Sequence, residues 1–198
     1  MQTESPDLEL GVALPDRIGG TPLIRLDKLA YGLEGVTLLA KAEWLNPGGS
    51  VKDRAAAAMV RKARGEGNLG PGRILLDATS GNTGIALAML GAAKGFPVRL
   101  AMPSNVSPER KHILKAYGAQ VDWTDPDKGS DGAIRRAREL AGNEPRAFVM
   151  WISIRTTQTG EPTTRARGEK SGSRLRPCDS FCGRTGHERN LHGDDTQT

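Results

Sequence analysis

The sequence predicts an α/β fold, a parallel sheet with helices on both faces, which is incomplete and ends in an irregular C-terminal tail. Short apolar runs, of the length of buried strands, alternate with helical segments from residue 73 to residue 150. Clusters of glycine, proline and hydroxyl residues separate these segments. Strands joined by helices form right-handed crossovers, and such crossovers cover both faces of a parallel sheet.

The elements are predicted in the following order. Residues 1–16 form a mobile leader, and residues 36–44 form a strand that leads into a helix over residues 51–64. The breakers of residues 65–72 end this helix. The later strands are predicted over 73–78, 98–102, 120–124 and from 147, and the helices between them over 84–94, 108–117 and 131–140. As domains we predict the leader 1–16, the start of a large domain 17–45, a small α/β domain 46–150 and a tail 151–198.

The segment Asn46-Pro-Gly-Gly-Ser-Val-Lys-Asp-Arg54 places a lysine in the first turn of the helix over 51–64. We expect Ser50 to cap this helix and Asp53 to reach back, as in a capping box. The helix dipole disfavours a cation at this end, and it therefore favours the neutral amine that Schiff-base chemistry requires. Lys52 is a candidate catalytic residue, although the pattern alone is also typical of a surface lysine.

A second candidate motif, Thr79-Ser-Gly-Asn-Thr-Gly84, lies between a predicted strand and a predicted helix. A strand that turns into a helix through such residues directs free backbone N–H groups and the helix dipole at one point. Carboxylates and phosphates bind at such points. A glycine-rich turn is a weak signal by itself, because many α/β proteins contain one. Together with the helix-start Lys52 about 30 residues upstream, it forms a specific pair.

These motifs resemble those of the cysteine synthase and cystathionine β-synthase family, which are pyridoxal-phosphate enzymes of fold type II. Two further segments share the resemblance, Ile18-Gly-Gly-Thr-Pro-Leu-Ile-Arg25 and Met102-Pro-Ser-Asn-Val-Ser-Pro-Glu-Arg110. The resemblance runs from about residue 17 to residue 150 with its motifs in order, and it is closest to the cysteine synthase B branch. That branch consists of O-acetylserine or O-phosphoserine sulfhydrylases.

The resemblance implies roles for the candidate residues. Lys52 would form a Schiff base with pyridoxal 5'-phosphate and move the Cα proton of the substrate. Asn82 would donate to the ring oxygen of the cofactor. The substrate carboxylate would be held by Thr79, Ser80, Gly81, Asn82 and Thr83. The implied reaction replaces the β-substituent of an activated serine with sulfur to give L-cysteine, and the family usually forms homodimers.

Two other functions stay open, a cystathionine β-synthase-like enzyme and a decayed, non-catalytic fragment that retains only partner contacts. Haem-binding cystathionine β-synthases need a Cys/His pair near the N-terminus, but no cysteine precedes Cys178. Threonine dehydratases and threonine synthases commonly place Ser-Phe-Lys at the lysine, and Ser50-Val51-Lys52 argues against them.

The tail, residues 151–198, contains only two Leu, two Ile and one Phe, too few for a packed segment. It is either a disordered extension or a segment read out of frame. The tail can be written in synonymous codons that encode other sequences when the reading frame is shifted. From Trp151 the shifted frame encodes Asp-Gln-Tyr-Ser-Asn-Asn-Pro-Asn-Trp-Arg-Ala-His-Tyr-Glu, and from Cys182 another shifted frame encodes Val-Ala-Gly-Leu-Gly-Thr-Ser-Gly-Thr-Phe-Met. These resemble the next family segment and the family's phosphate-binding loop.

We therefore hypothesise two base slips, one near Met150 and one before Cys178. The Gly-Thr-Ser-Gly-Thr loop and the later serine that contacts the pyridine nitrogen are then missing in frame. For that reason we expect this chain to be truncated and inactive.

Composition excludes several classes of partner. The net charge of +5 is spread over the chain and is not interleaved with aromatic residues, which argues against a nucleic-acid partner. Apolar runs stay shorter than a membrane span, and the N-terminus lacks a secretion signal, so we expect a cytoplasmic protein with no membrane partner. The family resemblance implies a small amino-acid substrate. The tail residues Cys178, Cys182, His187 and His192 faintly resemble a zinc knuckle, but the spacing is unusual and we expect no metal site.

Overall fold

A computed structural model describes residues 12–151 of the chain. Its strands are β1 (Leu23–Arg25), β2 (Leu39–Lys41), β3 (Ile74–Ala78), β4 (Val98–Pro103), β5 (Gln120–Thr124) and β6 (Phe148–Trp151). Its α-helices are α1 (Lys52–Gly65), α2 (Asn82–Lys94), α3 (Pro108–Ala116) and α4 (Gly129–Asn143). Short 3-10 helices cover Leu14–Arg17, Glu43–Leu45 and Pro126–Lys128.

The main sheet has four strands in the order β5-β4-β3-β6, and all of its pairings are parallel. In the register of the central strand, Leu75 lies opposite both Val98 of β4 and Val149 of β6. A separate antiparallel pair joins β1 to β2, with Ile24 opposite Ala40. The predicted α/β class with a parallel sheet is confirmed.

Both faces of the main sheet carry a hydrophobic core, because strand side chains alternate between the two faces. On one face, the strand residues Leu75, Leu100 and Val149 pack against helices α1, α2 and α3. On the opposite face, the strand residues Leu76 and Phe148 pack against helix α4. The neighbours Leu75 and Leu76 of β3 thus belong to different cores, which is why apolar residues follow one another at 74–76 of this strand. Helices on both faces were predicted, and they are confirmed.

The predicted strands and helices from residue 73 to residue 150 all exist, with bounds that shift by a few residues. The clearest omission is β1, which lies inside the glycine-rich motif over 18–25 and is too short for a periodic signal. The strand expected over 36–44 shrinks to Leu39–Lys41, because its last residues turn into the 3-10 helix Glu43–Leu45. Helix α2 starts at Asn82, two residues earlier than predicted.

Several predictions lie outside the described residues. These are most of the leader, the frameshift, the disorder of the tail and the alternative zinc knuckle at Cys178, Cys182, His187 and His192. The domain boundaries at residues 45 and 150 also stay predictions. Within residues 12–151, no helix is both long and apolar enough to cross a membrane.

Candidate active site

Lys52 is the first residue of α1, and its side chain is exposed. The backbone N–H of Lys52 donates to the Ser50 hydroxyl at 3.2 Å, so this serine does serve the start of the helix. Proline and glycine at 47–49 form the preceding turn, in which Gly49 has a φ of +77° and its N–H donates to the Asn46 carbonyl at 2.8 Å. The lysine therefore stands at a sharp entry into a helix, as the sequence predicted.

The loop of residues 79–83 directly follows β3 and leads into α2. Thr79 is buried, and its hydroxyl accepts a hydrogen bond from the Gly81 N–H at 3.4 Å. Ser80 and Asn82 are exposed, and Thr83 is half-buried. The helix cap is Gly81, whose lack of a side chain leaves the first N–H groups of α2 without a side-chain cap. The loop thus presents hydroxyl, amide and backbone N–H donors together.

Gly84 allows α2 to lie close to this loop. A Cβ at this position would come within 2.7 Å of Thr79 Cγ2 and 3.2 Å of Leu100 Cδ1. Both distances are shorter than ordinary van der Waals contacts. The glycine therefore sets how closely the donor groups of the loop approach the end of the sheet.

Helices α1 and α2 contact each other at their C-terminal ends. Arg64, in the last turn of α1, donates to the carbonyl of Lys94, the last residue of α2, at 2.9 Å. Both helices also pack in the same core. Their lengths are similar, 14 and 13 residues, which is about 20 Å along each axis. Lys52 and Asn82 are thus the first residues of two helices that share one core.

The position within the sheet also fits a ligand site. From β3 the chain continues to β4 and β5 on one side, whereas β6 adds on the other side of β3. The order of strands therefore reverses at β3, and ligands of open α/β sheets bind beyond the carboxyl ends of strands at such a point. Residues 79–83 occupy that point.

A network of polar side chains, not predicted from the sequence, lies beside the lysine turn. Arg54 donates to both carboxylate oxygens of Glu43, at 2.9 and 3.1 Å, and to the Thr21 hydroxyl at 3.0 Å. Asn46 donates to Glu43 at 2.9 Å and accepts from the Gly19 N–H at 2.9 Å. The network joins the motif over 18–25, the 3-10 helix Glu43–Leu45 and α1. Gly19, Thr21, Asn46 and Arg54 lie inside the motifs over 18–25 and 46–54, which could have pointed to them. Glu43 lies between these two motifs and belongs to neither.

The charges in this network are compensated by hydrogen bonds. Burial alone would raise the pKa of the Glu43 carboxyl, but the hydrogen bonds from Arg54, Asn46 and Thr21 outweigh burial and hold that pKa below its ordinary value. Glu43 therefore stays ionised and Arg54 keeps its partner.

The predicted capping box is wrong in one contact. Asp53 does not reach back to Ser50, and its Oδ2 instead accepts from the Gly48 N–H at 2.5 Å. The Gly48-Gly49 turn brings that N–H over the start of the helix, and a Cβ on Gly48 would lie 2.5 Å from Asp53 Oδ1. Burial raises the pKa of the Asp53 carboxyl, and the Gly48 hydrogen bond opposes this only in part.

Two depressions among residues 12–151 lie away from the candidate residues, one between the end of α2 and Tyr117, and one between Thr124 and α4. In the same part of the chain, no group of three or more Asp, Glu, His or Cys side chains is arranged to hold a metal ion. The side chains of Lys52, Ser80 and Asn82 are exposed.

Known proteins are similar to the chain over these residues. The sequence profile of a family described as "Pyridoxal-phosphate dependent enzyme" matches residues 14–151. A cysteine synthase of Aquifex aeolicus (strain VF5) is 54% identical over 134 residues, which are 67% of this chain and 41% of that relative.

Two solved structures are similar to the chain. A cysteine synthase (OASS) from Entamoeba histolytica has a TM-score of 0.68 and 38% identity, over 76% of this chain and 45% of its own. An O-acetylserine dependent cystathionine beta-synthase from Helicobacter pylori has a TM-score of 0.66 and 32% identity, over 72% of this chain and 47% of its own. The chain thus spans less than half the length of these relatives.

Proposed function

Because the chain belongs to the pyridoxal-phosphate dependent enzyme family, we propose that residues 12–151 carry the lysine half of a cysteine synthase site. The full reaction would be β-replacement on an activated serine, O-acetylserine or O-phosphoserine, by a sulfur donor to give L-cysteine. The observation that carries this proposal is the packing of α1 and α2 in one core, with Lys52 at the start of one helix and the donor loop at the start of the other. The relative named a cysteine synthase supports the choice of product.

The residues present fit pyridoxal phosphate and an amino-acid substrate. An aldehyde cofactor requires an accessible primary amine, and the Lys52 side chain is exposed. A substrate carboxylate requires N–H and O–H donors at a helix start, and the loop over 79–83 offers both. When bound, the cofactor supplies the electron sink for chemistry at the substrate Cα.

Each residue then has a distinct task. Lys52 would hold the cofactor through its amine and afterwards accept or return the proton at the substrate Cα. Asn82, the first residue of α2, would donate from its amide to the cofactor ring oxygen. The hydroxyls of Thr79, Ser80 and Thr83 and the N–H of Gly81 would orient the substrate carboxylate. Holding the substrate in one orientation removes much of the entropic cost of the reaction.

We further propose that this chain does not complete the reaction alone. The family's phosphate-binding loop is absent in frame from the sequence, and the side chains of Lys52, Ser80 and Asn82 are exposed. A cystathionine β-synthase-like reaction is the second candidate, supported by the Helicobacter pylori structure. It would differ in the sulfur nucleophile and not in the residues described above.

Reductive trapping tests the proposal on the full chain. Borohydride added with pyridoxal phosphate makes any amine–aldehyde adduct permanent, and peptide mass spectrometry locates it. We expect the label to concentrate on Lys52, severalfold above the exposed Lys115, and to vanish from that peptide in Lys52→Ala. Because Lys52 is exposed, this substitution should change the free energy of unfolding by less than about 0.5 kcal/mol.

Two results would contradict the proposal. Equal labelling of Lys52 and Lys115 would show that the lysine has no special reactivity. L-cysteine formation by the purified chain from O-acetylserine or O-phosphoserine and sulfide would show that the chain is complete as a catalyst.

A further inference from the structure

The first turn of α1 is held by polar contacts and not by apolar packing. The first residue of this helix in the hydrophobic core is Ala56, one turn after Lys52. Asp53 and Arg54, which directly follow the lysine, are instead bonded to the chain before the helix, at Gly48 and Glu43. Successive residues of a helix are rotated by about 100°. These two contacts therefore fix the direction in which the Lys52 side chain leaves the helix.

Glu43 is the centre of this attachment. Its Oε1 accepts from the Thr21 hydroxyl at 3.2 Å and from Arg54 at 3.1 Å, and its Oε2 accepts from Asn46 and Arg54, each at 2.9 Å. Thr21 is 4% exposed and Asn46 is 3% exposed. Their bonds to Glu43 are therefore protected from competing water. If the carboxylate is removed, Arg54 loses its anchor and both buried groups lose an acceptor.

We propose that Glu43, through its ion pair with Arg54, is a positioning residue for Lys52. The inference rests on the proposed function, since the direction of an amine matters only when it must meet one carbonyl carbon. A displacement of about 1 Å at a reacting group can cost on the order of 100-fold in rate. Glu43 would act on Lys52 indirectly, because its partner in α1 is Arg54 and not the lysine side chain.

The chain contains a matched control for a purely stabilising role. Asp122 forms a similar ion pair with Arg99 at 2.6 Å, with side-chain exposures of 15% and 26%. The corresponding values for Glu43 and Arg54 are 18% and 33%. This second pair joins β4 and β5 and touches neither α1 nor the loop over 79–83. Glu43→Gln and Asp122→Asn thus each remove one carboxylate charge of similar burial, but only the first is next to the lysine turn.

Two measurements on the full chain decide the question. The first is hydrogen exchange of the backbone amides over residues 46–54, taken relative to exchange over the rest of residues 12–151, which needs no cofactor. The second is the ratio of trapped pyridoxal phosphate on Lys52 to that on Lys115. For Glu43→Gln we expect faster relative exchange over 46–54 and a labelling ratio that falls by about tenfold. Asp122→Asn lowers the stability of the whole fold, but we expect its relative exchange over 46–54 and its labelling ratio to stay at their parent values.

The outcomes separate the inference from the proposed function. If the parent chain labels Lys52 no more than Lys115, the proposed function fails, and the exchange over 46–54 alone decides the positioning role. If that exchange is unchanged in Glu43→Gln, or rises equally in Asp122→Asn, the positioning role is wrong.

A milder pair of variants covers the case in which Glu43→Gln does not fold. Thr21→Val removes one hydroxyl from the network and keeps the ion pair, so the same two readouts should change in the same direction but less. Thr21→Ser restores the hydroxyl and should return both readouts toward the parent values. Equal behaviour of the valine and serine variants would overturn the inference.

Discussion

At the scale of single residues, the clearest constraint is the space available at Gly91 in α2. A Cβ at this position would lie 2.5 Å from Val98 Cγ2 and 2.9 Å from the carbonyl oxygen of Phe96. The second neighbour is backbone and cannot rotate away. We therefore expect Gly91→Ala to lower the free energy of unfolding by about 1–3 kcal/mol, measured by urea denaturation.

Gly142 provides the control for this prediction. It lies in α4, and a Cβ there would meet no heavy atom within 4 Å. Alanine is the better helix former, so Gly142→Ala should stabilise the chain by about 0.5–1 kcal/mol. If both substitutions stabilise the chain, helix propensity and not the contact with Val98 and Phe96 controls Gly91.

At the scale of elements, the sequence predicted what periodicity and turn residues encode. The apolar residues at 74–76 and the glycine-ended α2 predicted one strand and one helix, because burial on both sides leaves a strong local signal. The position of β6 beside β3 could not be predicted, since strand order depends on contacts between distant segments.

The polar network beside Lys52 was beyond prediction for the same reason. Thr21, Glu43 and Arg54 are separated along the chain by as much as 33 residues, and only the fold brings them together. The predicted capping box at Ser50 and Asp53 is wrong because the Asp53 carboxylate accepts from the Gly48 N–H instead. A sequence pattern does not show that the turn brings this N–H to the carboxylate. Sequence predicted which segments form the candidate site, but not how they are held.

The ion pairs that link β4, β5 and α4 predict how the stability of the fold depends on pH. Hydrogen bonds from Arg99, and then from Arg136, lower the pKa of the Asp122 carboxyl, against the effect of burial. A carboxyl with a lowered folded-state pKa contributes stability above its unfolded pKa of about 3.9. That contribution is lost as the pH falls through the folded-state pKa.

Asp122→Asn should therefore lower the free energy of unfolding at pH 7 by about 1–3 kcal/mol. The difference from the parent should shrink below about pH 4, as measured by urea unfolding across a pH series. Asp125→Asn is the control, because its ion pair with Lys128 is long, at 3.6 Å, and 46% exposed on the Asp125 side. It should change stability by less than about 0.5 kcal/mol. If the difference in unfolding free energy between Asp122→Asn and the parent chain does not change with pH, the ion-pair explanation is wrong.

At the scale of the whole molecule, the two sheets of the described part differ in how well they are covered. The four-stranded sheet is covered on both faces, whereas in the β1–β2 pair all but Ala40 of the strand residues are exposed. A two-stranded sheet alone is marginally stable in water. The relatives are more than twice as long as the matched segment. The hypothesis of a shifted frame after residue 150 stays a prediction that the coding DNA tests directly.

The uncovered surface predicts self-association of the purified chain. Large apolar side chains are exposed on and beside the β1–β2 pair, namely Leu23 at 44%, Ile24 at 38%, Leu39 at 46%, Trp44 at 58% and Leu45 at 57%. Exposed apolar side chains drive association, because burying them removes apolar area from water. We expect the apparent mass in sedimentation to rise with protein concentration.

The substitutions Leu23→Thr and Leu39→Thr together should reduce that rise, since threonine keeps strand propensity while replacing apolar surface. Their effect on unfolding should be small, because both side chains are already nearly half exposed. Ile113→Thr is the control, at 39% exposure on α3 and away from this sheet. If Ile113→Thr reduces association as much as the double variant does, general surface hydrophobicity and not the β1–β2 surface drives it. A mass independent of concentration in the parent chain would contradict the prediction.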